Sequence, residues 1–305
     1  MTSIRRRYKN LTWIDLESPS RDEISSVMEE FSIDASLIEE VLQPTRKPRI
    51  DLFDDYIFLI LHFPALRHTH TKGTLQEIDF IVGKQFLITV RYDTVDAIDK
   101  FAQVFEANTI MEFSPVGNHA GYLFYFLIKK LYRSLEHELE YIESALESIE
   151  GRVFSGHEKE MVRELSHYGT DLADIIKATG YHEDVLESLE IAGQTLFGQD
   201  FRFYLHRVLG EYRRIKHQLA AAKNFFGELR ETNNSLLSTK QNEVMKKFTV
   251  MAFITLPLSL VAGVFGMNTE HSPIAGHPFD FWIVILLMGI LSLVMFTLFK
   301  YRKWL

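Results

Sequence analysis

Of the residues able to do chemistry, those with the most regular spacing lie near the C-terminus. Stepping by three and four from Asn242 gives Met245, Thr249, Ala252, Leu256, Ser259, Gly263 and Gly266. On a helix of about 3.6 residues per turn these positions share one face. That face is polar at its start and small or polar towards its end, while the rest of the segment is apolar. Such a stripe suits a helix that lines an aqueous path. It equally suits a helix that uses small residues to pack closely against a neighbour. Gly266-Met267-Asn268 closes the stripe with a second neutral carboxamide.

The other candidates are less ordered. His68 and His70 have spacing for a transition metal but read better as a solvated turn in Arg67–Gly73. His157-Glu158-Lys159-Glu160 lacks the two-histidine helical spacing of a zinc protease. His271 and His277 fall in a Pro- and Gly-containing stretch and would favour Zn²⁺ if they bound a cation. Glu136, Glu140, Glu143, Glu147 and Glu150 make an acidic helical stripe, either a solvated face or a means of concentrating cations. There is no phosphate-binding Gly-rich loop, no nucleophile elbow and no acid pair at catalytic spacing, so an enzyme is not expected. The absence of cysteine excludes disulfides, thiolate metal sites and cysteine nucleophiles. A net charge of −8 argues against nucleic acid, which is bound by neutralising phosphates.

The elements that must position these residues follow from an uneven charge distribution. The mean hydropathy of −0.03 is that of a soluble protein. Yet Phe248 to Phe299 contains no Lys or Arg, and its only acids are Glu270 and Asp280. Within it, residues 248–267 and 281–299 each approach the roughly 20 apolar residues that cross a bilayer. Lys240, Lys246 and Lys247 precede the first span, and Lys300, Arg302 and Lys303 follow the second. The positive-inside rule then places both termini in the cytoplasm and residues 268–280 outside, with Trp282 and Trp304 at the interfaces. The chain therefore reads as a multi-pass cell-membrane protein in contact with lipid. Its basic N-terminus has no apolar run behind it and does not read as a signal peptide. Two helices cannot enclose water alone, so any pore is shared between subunits around an axis.

Residues 1–118 read as a mixed α and β domain. Leu11–Leu16 forms a strand, Ser18-Pro19-Ser20 starts a helix over Asp22–Phe31, and Tyr56–Phe63 is a buried strand. Ile78–Val82 and Phe86–Val90 form a hairpin about Gly83-Lys84. Residues 119–247 read as helical. Ile128, Leu135, Leu139, Ile142, Leu146 and Ile149 form an apolar seam. Gly151 and Gly156 break it before a second helix over His157–Ala192. A third begins near Asp200 and meets no proline before Pro257. Unbroken to Met267, it would be about 100 Å long and would carry a soluble stalk into the first span.

The run QNEVMKKFTVMAFITLPLSLVAGVFGMN, Gln241 to Asn268, resembles the pore helix of the CorA family of magnesium transporters. The terminal KYRKWL resembles that family's basic C-terminus, and WIDLESPS, EEVLQPTRKPRID and IVGKQFLITVRY resemble its cytoplasmic domain. The likeness covers most of the chain and is loosest over Arg67–Gln76 and His157–Asp200. It implies a funnel-shaped homopentamer with an α+β cytoplasmic domain, a long stalk helix and two C-terminal transmembrane helices in residues 248–305. It also implies transport of divalent cations, Mg²⁺ foremost and Co²⁺ or Ni²⁺ beside it, with no organic cofactor. A ring of Asn268 amides, with Gly266 and Met267, would meet the hydrated ion at the outer mouth, and Met245 and Phe248 would form a hydrophobic constriction. The rivals are a Zn²⁺ transporter of the same fold and a membrane-anchored sensor or scaffold. At the stalk position where the family often supplies a metal-sensing acid after an arginine, this chain has His206-Arg207. That sensor is then altered, relocated or absent, and Glu231, further along, is still an acid that could face a neighbouring subunit.

Overall fold

The computed structural model describes residues 3–45, 47–65, 75–106, 119–267 and 278–302. They divide into two compact units, Met1–Arg230 and Glu231–Leu305.

In the first unit, strands β1 (Ser3–Tyr8), β2 (Leu11–Glu17), β3 (Arg49–Leu52), β4 (Tyr56–Pro64), β5 (Leu75–Gly83) and β6 (Phe86–Arg91) form one sheet ordered β1-β2-β6-β5-β4-β3. All neighbours are antiparallel except β2 and β6, where Thr12 pairs with Phe86 and Leu16 with Val90. Every residue of β4 is buried, as a strand covered on both faces requires. On one face, Ile14, Leu16, Phe58, Ile60, Ile81, Ile88 and Val90 pack under helices α1 (Arg21–Glu30) and α2 (Leu37–Val41). The other face meets α3 (Asp96–Glu106) and α4 (Gly121–Phe154) through Trp13 against Phe101 and Phe80 against Phe124, each pair 5.4 Å between ring centres. Helix α1 begins with a capping box: Ser20 accepts from the Glu23 amide while the Glu23 carboxylate accepts from the Ser20 amide.

The apolar seam of α4 is buried throughout, from Ile128 to Ile149. Beyond it come α5 (Glu158–Thr179) and α6 (His182–Phe197), then α7 (Gln199–Phe265), one helix of 67 residues that starts in the first unit and ends in the second. Gly198, with φ of 97°, makes the abrupt turn between α6 and α7 that a side chain would oppose. In the first unit α7 lies along α4, with Lys129 bonded to Glu211 at 3.2 Å, Arg214 to Glu136 at 3.4 Å, and the rings of Tyr132 and Tyr212 5.8 Å apart.

The expected helix over His157–Ala192 is in fact two, broken at Gly180-Tyr181. The break is a tertiary device. His182 sits in the core with no exposure, its Nδ1 2.9 Å from the Tyr132 hydroxyl and its Nε2 2.8 Å from the His62 carbonyl. The Thr179 carbonyl accepts from the Tyr212 hydroxyl at 2.7 Å. Strands β1 and β3 are unexpected from the sequence, because two edge strands rich in charge lack an apolar alternation, whereas α3 was missed although Ala97, Ile98, Phe101 and Ala102 have helical spacing and are buried.

Candidate functional site

In the second unit α7 continues to Phe265 and is followed by α8 (Asp280–Tyr301). Their most apolar stretches are only 6% and 0% buried, which no core helix of a soluble protein would tolerate. Both are long enough to span hydrocarbon.

The two helices pack along one line. On α7 the covered positions are Val250, Ile254, Pro257, Leu258, Val261 and Phe265; on α8 they are Val284, Met288, Leu291, Ser292, Met295 and Phe299. Val250 is 2% exposed and Phe299 8%. At about 100° per residue, Met245, Phe248, Ala252, Ser259, Gly263 and Gly266 point within about 40° of the direction opposite Val250, and Leu256 within about 60°. All seven are exposed in the chain, Met245 at 58%, Phe248 at 61% and Leu256 at 68%. Asn242, one turn earlier, is exposed too. Thr249 lies between the two faces, half-buried, and its hydroxyl donates to the Met245 carbonyl at 2.8 Å. Thr255 does the same to Met251 at 2.9 Å. Both hydroxyls are thus satisfied within the helix.

Pro257 stands inside α7 on the packed side. It has no N–H to give the Phe253 carbonyl, which leaves one acceptor free in the middle of the span. At the end of the helix the Gly266 amide donates to the Ala262 carbonyl at 2.9 Å. A β-carbon on Gly266 would stand 2.8 Å from that same oxygen, closer than any side chain tolerates, so glycine is required by space. Met267 is exposed at 61%. Asn268, the acid Glu270, and His271 and His277 lie outside the described residues, as do His68 and His70. Among the described residues no group of three or more His, Asp and Glu side chains converges on a point.

The first unit holds the remaining candidates. Glu143, in the middle of the acidic stripe, is shifted upward by partial burial and by its neighbours Glu140 and Glu147, as a crowded row of carboxylates would be. Glu136 is held by Arg214. Arg207 is exposed, with its guanidinium 5.9 Å from the ring centre of Phe203, one turn earlier on α7. Around it the cations are paired: Arg202 and His206 with Glu190, Arg213 with Glu183 and Glu187, Lys216 with Glu183. Among the described residues no carboxylate pairs with Arg207. Glu231, at the start of the second unit, is exposed. The sequence reading missed the Phe203–Arg207 stack, although its four-residue spacing was there to be read.

Comparison with known proteins adds a lineage to this geometry. The family model described as "CorA-like Mg2+ transporter protein" matches residues 8–302. A protein of Thermotoga maritima named cobalt/magnesium transport protein CorA is 27% identical over 296 residues, which cover 96% of this chain and 83% of that one. A protein of the same name from Methanocaldococcus jannaschii is 22% identical over 294 residues, covering 96% and 91%. The complete structure of the CorA magnesium transporter from Methanocaldococcus jannaschii superposes with a TM-score of 0.83 at 21% identity, covering all of this chain and 95% of the other.

Proposed function

This chain belongs to the CorA-like Mg²⁺ transporter family, and from that premise we propose that it passes divalent cations, Mg²⁺ foremost, through a pore formed by several copies of its first span. The observation that supports the reading is the two-sidedness of α7. One side is committed to α8, while the opposite side carries the small and polar positions and is exposed among the described residues. A rotational assembly, five-fold in our reading, turns that free side inward and gives the apolar remainder to lipid.

The path would begin at the Asn268 amides and the Gly266 carbonyls. Mg²⁺ gives up its water reluctantly and demands near-octahedral ligands. Neutral amide and carbonyl oxygens can accept hydrogen bonds from its hydration shell without stripping it, whereas a carboxylate ring would hold the ion too long. The face then runs past Gly263, Ser259, Leu256 and Ala252 to Thr249. Met245 and Phe248 would close it by excluding water, with Asn242 beyond them. From the basic residues flanking both spans we assign the termini to the cytoplasm. Glu231 is the acid we assign to sensing cytoplasmic Mg²⁺.

Uptake into liposomes across a panel of Mg²⁺, Co²⁺, Ni²⁺ and Zn²⁺, repeated with Asn268→Ala, tests the reading. Ion-dependent flux in the parent and its loss in the variant are expected. A flux confined to Zn²⁺ would shift the cargo to the ion that His271 and His277 favour, and no flux with any ion would leave a membrane-anchored scaffold.

A further inference from the structure

The sheet face beneath α1 and α2 is apolar except at one end, where Glu77 and Asp79 alternate into it from β5. Both are buried, at 4% and 0% exposure. Among the described residues, hydrogen-bond donors are too few for two ionised acids there. Glu77 accepts from Thr45 Oγ1 at 3.3 Å and faces His62 Nε2 at 3.0 Å. That same nitrogen is 2.9 Å from the Thr45 carbonyl, so it carries a hydrogen divided between two acceptors. The Tyr92 hydroxyl stands 3.1 Å from Asp79 Oδ2 and 2.9 Å from the Val41 carbonyl, again two acceptors for one hydrogen. Asp79 Oδ1 is buried and receives no donor. The Glu77 carboxyl, two residues away on the same face of β5, adjoins that of Asp79. Arg49 on β3, whose charge acts on Asp79, is engaged by Glu40 and Asp51 at the surface.

We propose that Glu77 and Asp79 share one buried proton, and that this proton latches the Val41–Thr45 segment onto the sheet. A proton between the two acids supplies the missing donor and cancels one of two adjacent buried charges. Tyr92 is then free to donate to Val41, and His62 and Thr45 serve the single remaining charge. Without the proton, two anions compete for those same donors, and the contacts that Tyr92 and His62 make to the Val41 and Thr45 carbonyls are the ones surrendered. Burial first, and the Glu77 charge second, hold the Asp79 carboxyl well above its usual range. Its contribution is thus present at low pH and lost as pH rises through the raised value. His62 is also shifted upward, against its burial, by Glu77 and the Thr45 carbonyl, so it acts in the same direction. The latch is coupled to the helical layer, because the His62 carbonyl is held from the opposite face by His182.

Amide exchange of the full chain in detergent, followed on a peptide covering Ile38–Ile50 and corrected for intrinsic rates, reads the opening. Between about pH 6 and 9 the parent should open more readily by up to tenfold per pH unit, the limit for one proton. Asp79→Asn, which keeps the shape of the neutral acid, should flatten the profile, and His62→Gln should retain a slope. A flat parent, or a slope that persists in Asp79→Asn and vanishes in His62→Gln, would overturn the shared proton. Infrared difference spectra of the parent give a reading that survives a misfolded variant. A protonated-carboxyl band present at neutral pH and lost in step with opening is expected, and its absence at neutral pH would equally overturn the proposal.

Discussion

The ring of Phe253 on the first span lies 6.2 Å from that of Phe299 on the second, and with Val250 this contact sets the rotation of the first span about its own axis. Everything argued for the opposite face depends on that rotation. Truncation by Phe299→Ala should loosen the pair by on the order of 1 kcal/mol, since packing is the main attraction between helices in lipid. A lower thermal midpoint in detergent with unchanged ion preference is expected. A changed preference at unchanged stability would mean that Phe299 borders the path itself.

At the mouth, Asn268→Ala and Gly266→Ala should each abolish uptake in protein that still assembles. The alanine at 266 fails for a steric reason, because its β-carbon meets the Ala262 carbonyl. The one at 268 removes the amide. Size-exclusion profiles and liposome flux, measured on the same preparations, separate assembly from conduction; near-parent uptake by assembled Asn268→Ala would remove the amide from the mechanism.

For the constriction, Met245→Asn and Phe248→Ser place polar groups where two exposed apolar side chains now stand. Wetting should become easier, and leak at high cytoplasmic Mg²⁺ should rise. Parent-like conduction in both variants would put the closure elsewhere along α7.

The proposed sensing of cytoplasmic Mg²⁺ can be tested at Arg207 as well as at Glu231. A ligand closes a channel only by binding its closed state better. Divalent ions can do so by bridging carboxylates on neighbouring copies, but Arg207 is a cation where an acid is expected. Stacked on Phe203 and without a carboxylate among the described residues, it is available to a neighbouring copy's acid. Feedback by cytoplasmic Mg²⁺ should therefore be shallow. Arg207→Asp should steepen it and Glu231→Ala should weaken it further, read as flux against a Mg²⁺ titration on the cytoplasmic face. A parent that shuts steeply and ignores both changes places the sensor elsewhere.

His182 should account for a large share of an acid-side loss of stability, beside His119, whose imidazole burial pushes down to about 4. Complete burial pushes the His182 imidazole down from 6.5 to about 3. The unfolded chain binds this proton first, so the contribution is present above pH 6.5 and is lost as pH falls towards 3. At about pH 4.5 the loss amounts to roughly 2–3 kcal/mol. His182→Gln should be less stable at neutral pH by about 1–3 kcal/mol, from weakened hydrogen bonds to Tyr132 and His62, yet lose less on acidification. Urea midpoints of both proteins at the two pH values measure it, and parallel pH profiles would exclude His182 as a cause.

The sequence by itself determined what composition and local pattern can determine. Two charge-free runs had to be spans, because nothing else accommodates them, and the structure makes them helices that are barely covered by their own chain. The seam from Ile128 to Ile149, the Ser20 cap and the central strands were equally legible, since each is a short-range pattern with one physical outcome. Which side of the first span meets its neighbour was settled only in three dimensions. A stripe of small and polar residues through Ser259 and Gly263 serves a water-filled path or a close helix contact equally well, and only the burial of Val250 on the other side separates the two within the chain. The break at Gly180-Tyr181 escaped notice because apolar spacing continues through it, and only the seat for His182 between Tyr132 and the His62 carbonyl explains it. Glu77 and Asp79 alternate along β5 as outward-facing residues would. They became interior only when α2 and the segment after it, with Thr45, closed over them, so burial of those charges is a consequence of what covers the strand.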